Sequence, residues 1–376
     1  MIVVLGGSDG TISTFRAARR LGIGTICVDM RADAPGVREA DEFLHLSTRD
    51  VPALADALHT RGGLTGVIAP GTDINLPSLY ELADLLGLPC PLSEPALHAS
   101  TDKAYFRALC ARLGLPGPRY DDQDPAFPVI VKPVDSGSSR GITICSTAEE
   151  VPAAVEHAAL VSPTGRVIVE EVVTGLDLCA EAFLQDGRIV LLGLSERVTA
   201  PPGVVAIGHD MSPREDAEVV RQLELVCAEL GYRDGPLNAD LFLSGGQVVL
   251  IEIGARIGGN GLGEALGLMY GVDTVEAAVL LAIGERPRLD PKPPRHVAVR
   301  VLRSPSEGTL TGIRGLAEVV ALPEVADVVV AAVPGDHVVP YTECRAKLGY
   351  VLASAESAEA LAGALAEVDR LVQVDV

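Results

Sequence analysis

The chain opens with Ile2 to Leu5, an apolar run of the kind that makes a fully buried strand, and passes straight into Gly6, Gly7, Ser8, Asp9 and Gly10. An amphipathic helix pattern from Phe15 to Leu21 and a second apolar run from Thr25 to Val28 follow. Strand, glycine turn, helix and strand in this order form a βαβ unit of the doubly wound type, whose parallel strands need helices on both faces. No other stretch constrains the fold as strongly. Asp29 ends the second strand, and an acidic residue about 20 residues beyond a glycine turn is the ribose partner in NAD-binding folds. The turn reads GGSDG rather than GxGxxG, so an NAD-binding oxidoreductase stands as the rival reading.

The pattern continues with a helix at Val51 to Leu58, a strand at Gly66 to Ala69 and a helix at Leu79 to Leu86. Pro89, Pro91 and Pro95 then break it and place a domain boundary near residue 95. Ser100, Thr101 and Asp102 can cap a helix from Lys103 to Leu113 that Gly114 and Pro116 stop. Lys103 stands in its first turn, where the helix dipole disfavours a cation.

Val129 to Ile142 reads VIVKPVDSGSSRGI, a strand ending in Lys132 followed by a loop of Ser136, Gly137, Ser138, Ser139 and Gly141. A lysine point charge beside a loop of small residues, whose backbone N–H groups can close over oxygens, is a phosphate clamp. The same residues also suit a hairpin with a serine-rich turn and a solvated lysine. A helix from Ala148 to Ala159, a strand from Val167 to Val169 ending in Glu170, Glu171, Val172 and Val173, and a strand from Leu178 to Leu184 come next. Asp186-Gly187 is a two-residue hairpin signal from which Arg188 to Leu194 returns antiparallel.

Two further apolar runs, Leu237 to Leu243 and Val248 to Ile253, each contain one carboxylate, Asp240 and Glu252. A three-residue turn at Gly245 to Gln247 would set these directly opposite each other on one face. Two such charges need a proton or a cation between them, and Mg²⁺ takes one or two carboxylates plus substrate phosphates. Two solvated acids on an edge hairpin are the alternative. Arg256 follows among Gly254, Gly258, Gly259 and Gly261, a fork of donors with room for an anionic ligand to approach.

The length of 376 residues suggests about two to three domains. A net charge of −21 argues against a nucleic-acid surface, though not against a nucleotide held by a few local cations. No run reaches the ~18 apolar residues of a membrane span, and the start MIVVLGG has no charged leader, so a cytoplasmic protein without membrane partners is expected. The seven cysteines, 27, 90, 110, 145, 179, 227 and 344, include no C-x-x-C pair and read as reduced thiols.

The lysine of DK, the lysine of VIVKP, the serine-glycine loop, the EExVxG hinge and the strand carboxylate with ExxxRxGG stand together in one order. In this the chain resembles the ATP-grasp superfamily of carboxylate–amine ligases, over nearly its whole length. The resemblance implies an α/β and α+β architecture: a Rossmann-like N-terminal domain at 1–95, an ATP-grasp domain at 96–288 with a lid at about 115–175, and a small α+β domain at 289–376. It implies ATP and Mg²⁺, with Mn²⁺ able to substitute, a carboxylate and an amine as small-molecule substrates, and a homodimer.

Carried over by motif, Lys103 and Lys132 bind the α and β phosphates under the loop Ser136 to Gly141. Glu170 and the backbone of Glu171 to Val173 hold adenine, and Asp177 the ribose. Asp240 and Glu252 bind the metal, and Arg256 serves the γ-phosphate or the substrate carboxylate. Gly254 stands where many members have asparagine, which leaves the third protein ligand open. EIGARIGG and the segment Glu196 to Pro213 are similar to the L-amino-acid ligase branch, in which His209, expected in a loop, and Arg256 face the amino-acid substrate beside Gly259 and Asn260. The implied reaction makes an acyl phosphate and ADP, after which the amine displaces phosphate.

A purine-biosynthesis ligase would need extra phosphate-binding cations in the first domain, where Arg16, Arg19 and Arg20 look instead like an outer helix face. A nucleotide sensor without turnover is the remaining alternative. After the linker Pro287 to Pro294, strands at His296 to Leu302, Val328 to Val333 and Gly349 to Ala353 and a helix at Ala358 to Leu371 are expected, with Gly308 to Gly315 and Arg345 near the substrate.

Overall fold

A computed structural model of the chain describes residues 1–376 apart from 121–125, 138, 139, 200–204, 215 and 343–345. The N-terminal strands Ile2–Leu5, Thr25–Val28, Glu42–Leu44 and Gly66–Ile68 form one parallel sheet in the order third, second, first, fourth. Alternate residues of the first strand enter different cores. Val3 and Leu5 pack with Leu54, Leu58 and Leu76, from the helices Val51–His59 and Leu76–Leu86. Ile2 and Val4 pack with Phe15 of the helix Ile12–Arg20 and with Val275 and Val279. Those last two belong to the helix Thr274–Ala282, so a segment over 200 residues away closes the second face that a parallel sheet must bury.

Of the prolines expected to break the pattern, Pro89 and Pro91 lie in the irregular stretch between the helices Leu76–Leu86 and Glu94–Thr101, and Pro95 marks a helix start. Pro95 sits in the first turn of the helix Glu94–Thr101, where its missing N–H leaves no bond unmade, and Ser93 caps it by accepting from the Ala96 N–H.

Thr143–Cys145, Val129–Pro133 and Val167–Glu171 form a small antiparallel sheet backed by the helix Val151–Val161. The largest sheet has eight strands, in the spatial order Gln247–Gly254, Gly235–Ser244, Leu176–Gln185, Arg188–Thr199, Ala206–Met211, His296–Arg303, Lys347–Ala355 and Val325–Val330. The strand Ala206–Met211 pairs with both Arg188–Thr199 and His296–Arg303, so the C-terminal strands continue the central sheet. The expected strand at Val328 to Val333 runs from Val325 to Val330.

The two faces of this sheet differ in chemistry. Leu178, Ala180, Ala182, Leu237, Ala239 and Leu241 pack into the main core against the helix Ala217–Leu230. By the pairing of Cys179 with Asp240 and Ser195, of Glu181 with Asn238, and of Arg197 with His209, the polar residues share the opposite face. Gly308–Thr309 and Gly312–Arg314 pair with His337–Val338 and Gln373–Asp375 in two small separate sheets. Arg345 lies outside the described residues.

Gly66 shows how closely the parts fit, since a Cβ there would overlap the Ala282 carbonyl oxygen at the end of the helix Thr274–Ala282. Gly66→Ala should lower stability by about 1–3 kcal/mol through this overpacking; an unchanged denaturation midpoint in urea would show that the helix can move away freely.

Candidate active site

The helix Lys103–Arg112 starts at Asp102, whose side chain accepts from the Tyr105 N–H at 2.9 Å. Lys103 donates from Nζ to the Ser136 carbonyl at 2.8 Å and lies 3.2 Å from Glu252 Oε2. A carboxylate at contact distance explains a cation in a first turn, where the dipole opposes it by up to about 1 kcal/mol. Lys103 is also the first cause that holds the Glu252 carboxyl well below its ordinary range.

Asp240 does face Glu252, but by a different route from the one expected. The turn holds only Gly245 and Gly246, both left-handed at φ 55° and 79°, with Ser244 paired to Gln247. That register would set Asp240 against Ile251. A β-bulge shifts it between Asp240 and Leu241, so Ile251 has no opposite residue and Glu252 comes round to Asp240. Burial pushes the Asp240 carboxyl up, opposed by Arg197, whose Nη2 lies 2.5 Å from Asp240 Oδ1. Arg197 Nη1 meanwhile donates to both oxygens of Asp177, at 2.7 and 2.8 Å.

Lys132 and Glu170 are both buried, and Lys132 Nζ donates to Glu170 Oε2 at 2.7 Å. Arg107 Nε donates to Glu170 Oε1, also at 2.7 Å. Two cations thus hold the Glu170 side chain. Glu171 accepts from Arg119 Nε at 3.1 Å, and Val173 lies half-buried beyond the strand end. Ser136 is buried and, among the described residues, its hydroxyl has no partner, a donor left over beside Lys103, and Gly137 is exposed. Gly141 is left-handed at φ 73° and packs between Pro133 and Val161, which suits the return of the loop. Ser138 and Ser139 lie outside the described residues.

The glycine-rich segment after Glu252 docks onto the N-terminal domain. Arg256 grips Asp73 in a fork, Nε to Oδ1 at 2.9 Å and Nη2 to Oδ2 at 2.7 Å. A Cβ on Gly254 would overlap Asp73 Oδ1, so this carboxylate fills the space where an asparagine would stand. Gly71 N–H donates to the Ile257 carbonyl, and Gly259 approaches the Gly71 carbonyl. Asn260, left-handed at φ 57°, accepts from Lys347 Nζ at 2.6 Å, and that ammonium is also 2.6 Å from Asp9 Oδ2.

His209 is not in a loop. It lies buried in the strand Ala206–Met211, with Nδ1 3.2 Å from Ser195 Oγ. Burial first, then Arg197, Arg300 and Lys347, lowers its pKa to about 3, so the ring is neutral at physiological pH.

Residues 125–264 match the ATP-grasp domain, and residues 300–376 match the L-amino acid ligase C-terminal domain 2. A D-alanine–D-alanine ligase of Aromatoleum aromaticum is 30% identical over 319 residues, covering 76% of this chain and 95% of that protein. The chain belongs to the ATP-grasp superfamily of carboxylate–amine ligases. An uncharacterized protein of Sinorhizobium fredii, y4rH, is 29% identical over 290 residues; these cover 72% of this chain and 60% of that protein, so the chain spans less than two thirds of this relative's length. The crystal structure of an L-amino acid ligase from Bacillus licheniformis is similar in fold, with a TM-score of 0.82 at 20% identity over 100% of this chain and 98% of that one.

ATP-grasp enzymes use ATP with Mg²⁺, and the donor set here fits that ion. Two facing carboxylates match the one or two that Mg²⁺ takes beside phosphate and water oxygens. Among the described residues, no three His, Cys, Asp or Glu side chains form a closed metal cage. Among them also, no single helix is long and apolar enough to cross a membrane.

Sequence reasoning passed over Asp73, Arg107, Glu181 and Lys347. Asp73 had a readable signal, because it follows the fourth parallel strand. With Asp9 after the first strand, it lies at the point where the strand order reverses, the usual ligand crevice of open α/β sheets. The others had none. Asp29, the ribose candidate of the NAD reading, accepts from the Gly7 N–H and from Arg31. Arg16, Arg19 and Arg20 pair with Glu39, Asp327, Asp273 and Glu276 on the outer face of their helix.

Glu181 is buried beneath this face, accepting from Asn238 Nδ2 at 2.5 Å and from the Gly258 N–H at 3.3 Å. Burial raises its pKa from 4.5 to about 8. The folded chain therefore keeps a proton that the unfolded chain releases, and this group makes stability fall as pH rises from about 4.5 to about 8. Glu181→Gln keeps an acceptor for one of the two donors and has no proton to lose, so its melting temperature relative to the wild type should rise from pH 4.5 to pH 8; parallel melting profiles would show that the Glu181 pKa is not raised on folding.

Proposed function

We propose that this chain is an ATP-dependent ligase that activates an amino-acid-like carboxylate as an acyl phosphate and joins it to an amine, releasing ADP and phosphate. The observation that carries this reading is Asp240 set against Glu252, with Lys103 and Arg197 at contact distance of the pair. Carboxylates and cations so arranged can exchange partners with a metal ion and phosphates, each charge keeping an opposite neighbour.

In this reading Lys103 and Lys132 bind the α and β phosphates, and the segment Ser136 to Gly141 closes over them. The backbone of Glu171 to Val173 holds adenine and Asp177 the ribose, once Arg197 has turned from it. Asp240 and Glu252 would hold Mg²⁺, with Mn²⁺ as substitute, and the ion would neutralise charge on the transferring phosphoryl group. Arg256, poised on Asp73, meets the γ-phosphate or the substrate carboxylate, and Gly259, Asn260 and the neutral His209 line the substrate. Little covalent chemistry is asked of the protein, and the rate comes from positioning and charge neutralisation. Closure would exclude the water that hydrolyses an acyl phosphate.

The C-terminal match supports an amino-acid substrate. The purine reading finds no support in Arg16, Arg19 and Arg20, whose side chains are exposed on the outer face of their helix. A division at about residues 95 and 288, a cytoplasmic location and a homodimer belong to the same proposal.

Incubation with ATP, Mg²⁺ and pooled amino acids and small amines, followed by mass spectrometry, should give ADP and a species lighter by one water than its two precursors. AMP in place of ADP would overturn the acyl phosphate, and ATP bound but intact in such a broad pool would favour the sensor. Glu252→Gln should slow ADP release by at least about 100-fold. Arg256→Ala should cost more in product formation than in nucleotide binding, and an unchanged product yield would remove Arg256 from the reaction.

A further inference from the structure

Arg107 is not among the residues that the motifs single out, yet its side chain is only 2% exposed and it touches both halves of the site. Nη1 donates to the Leu250 carbonyl at 2.9 Å and Nη2 to the Ile251 carbonyl at 3.0 Å. In a regular strand, successive carbonyls point to opposite sides, so one planar group reaches both only where the backbone is kinked. These are the residues of the bulge. Ile251 has no partner across the hairpin, its strand is the edge of the sheet, and Arg107 donates to the carbonyls of Ile251 and of Leu250 just before it.

The consequence falls on Glu252. Were the register of the turn to run on, Glu252 would lie opposite Ala239, whose side chain is in the main core, instead of opposite Asp240. Arg107 Nε donates to Glu170, which holds Lys132. Arg107 also lies four residues after Lys103, on the same helix face, so one helix delivers Lys103 to the Glu252 carboxylate and Arg107 to the backbone just before it.

We propose that Arg107 is a positioning residue of the metal–nucleotide site, which holds the bulge that turns Glu252 toward Asp240 and links it through Glu170 to Lys132. This rests on the ligase reading above. A lysine is a single point charge and cannot span two carbonyls and a carboxylate as the guanidinium does.

The test uses the full chain with Arg107→Lys, Arg107→Met and Glu170→Gln, the last of which leaves the bulge contacts in place. Mn²⁺ binding is followed by electron paramagnetic resonance with a non-hydrolysable ATP analogue, beside the Mg²⁺ concentration that gives half-maximal ADP release. Both are measured at a temperature where circular dichroism shows each variant fully folded, so a loss of stability alone leaves both unchanged. Arg107→Lys should weaken both by about 10-fold or more, the scale of lost support to metal ligands, and Arg107→Met at least as much. Glu170→Gln should raise the KM for ATP with a metal shift under about 3-fold. Should Arg107→Met not fold, Arg107→Lys decides alone. Metal constants unchanged in Arg107→Lys, or shifted equally in Glu170→Gln, overturn the inference while the ligase reading stands. Wild-type protein that takes up neither nucleotide nor Mn²⁺ overturns both.

Discussion

Four carboxylates stand on sheet surfaces at the site, Glu170 and Glu181 buried and Asp240 and Glu252 part-exposed, and their neutralisation is the constraint that organises it. An ionised carboxylate without a partner costs several kcal/mol at full burial and less where water reaches it. Glu181 meets the constraint by keeping its proton. The other three are met by Lys103, Arg107, Lys132 and Arg197, which come from one helix, the small antiparallel sheet and the central sheet. The charges can be satisfied only when all these elements are assembled together. Each cation here already has an anionic partner, so an incoming phosphate or metal ion exchanges partners within a network of balanced charge.

The same logic joins the N-terminal domain to the rest. Asp9 and Asp73 follow neighbouring parallel strands, and each receives a cation from another part of the chain, Lys347 and Arg256. Gly254 belongs to this junction, since its missing side chain makes room for Asp73. The space at Gly254, where many family members have asparagine, is the one through which the Asp73–Arg256 ion pair passes.

Much of the architecture could be read from local pattern. The strand Thr25–Val28 and the helix Ala358–Leu371 have the bounds their apolar spacing suggests, because both are short-range packing patterns with clear ends. Pro95 stands at the element boundary that the proline cluster suggests, and the cap at Ser93 shows that a helix opens there. His209 misled because glycine and proline neighbours suggest a loop, while pairing on both sides with Arg197 and Val299 makes it part of a strand.

By itself, the sequence determined the order of elements, the doubly wound start, the five motifs and the two strand carboxylates, all of which depend on residue type and short-range spacing. Tertiary structure decided how the charges are shared. It paired Asp240 with Glu252 through a bulge that no spacing announces, gave Glu170 to Arg107 and Lys132, and set Asp73 beside Arg256 across 183 residues. The physical reason is that a charge in a buried site takes whichever counter-charge the packing brings within about 3 Å, and chain distance has no part in that choice.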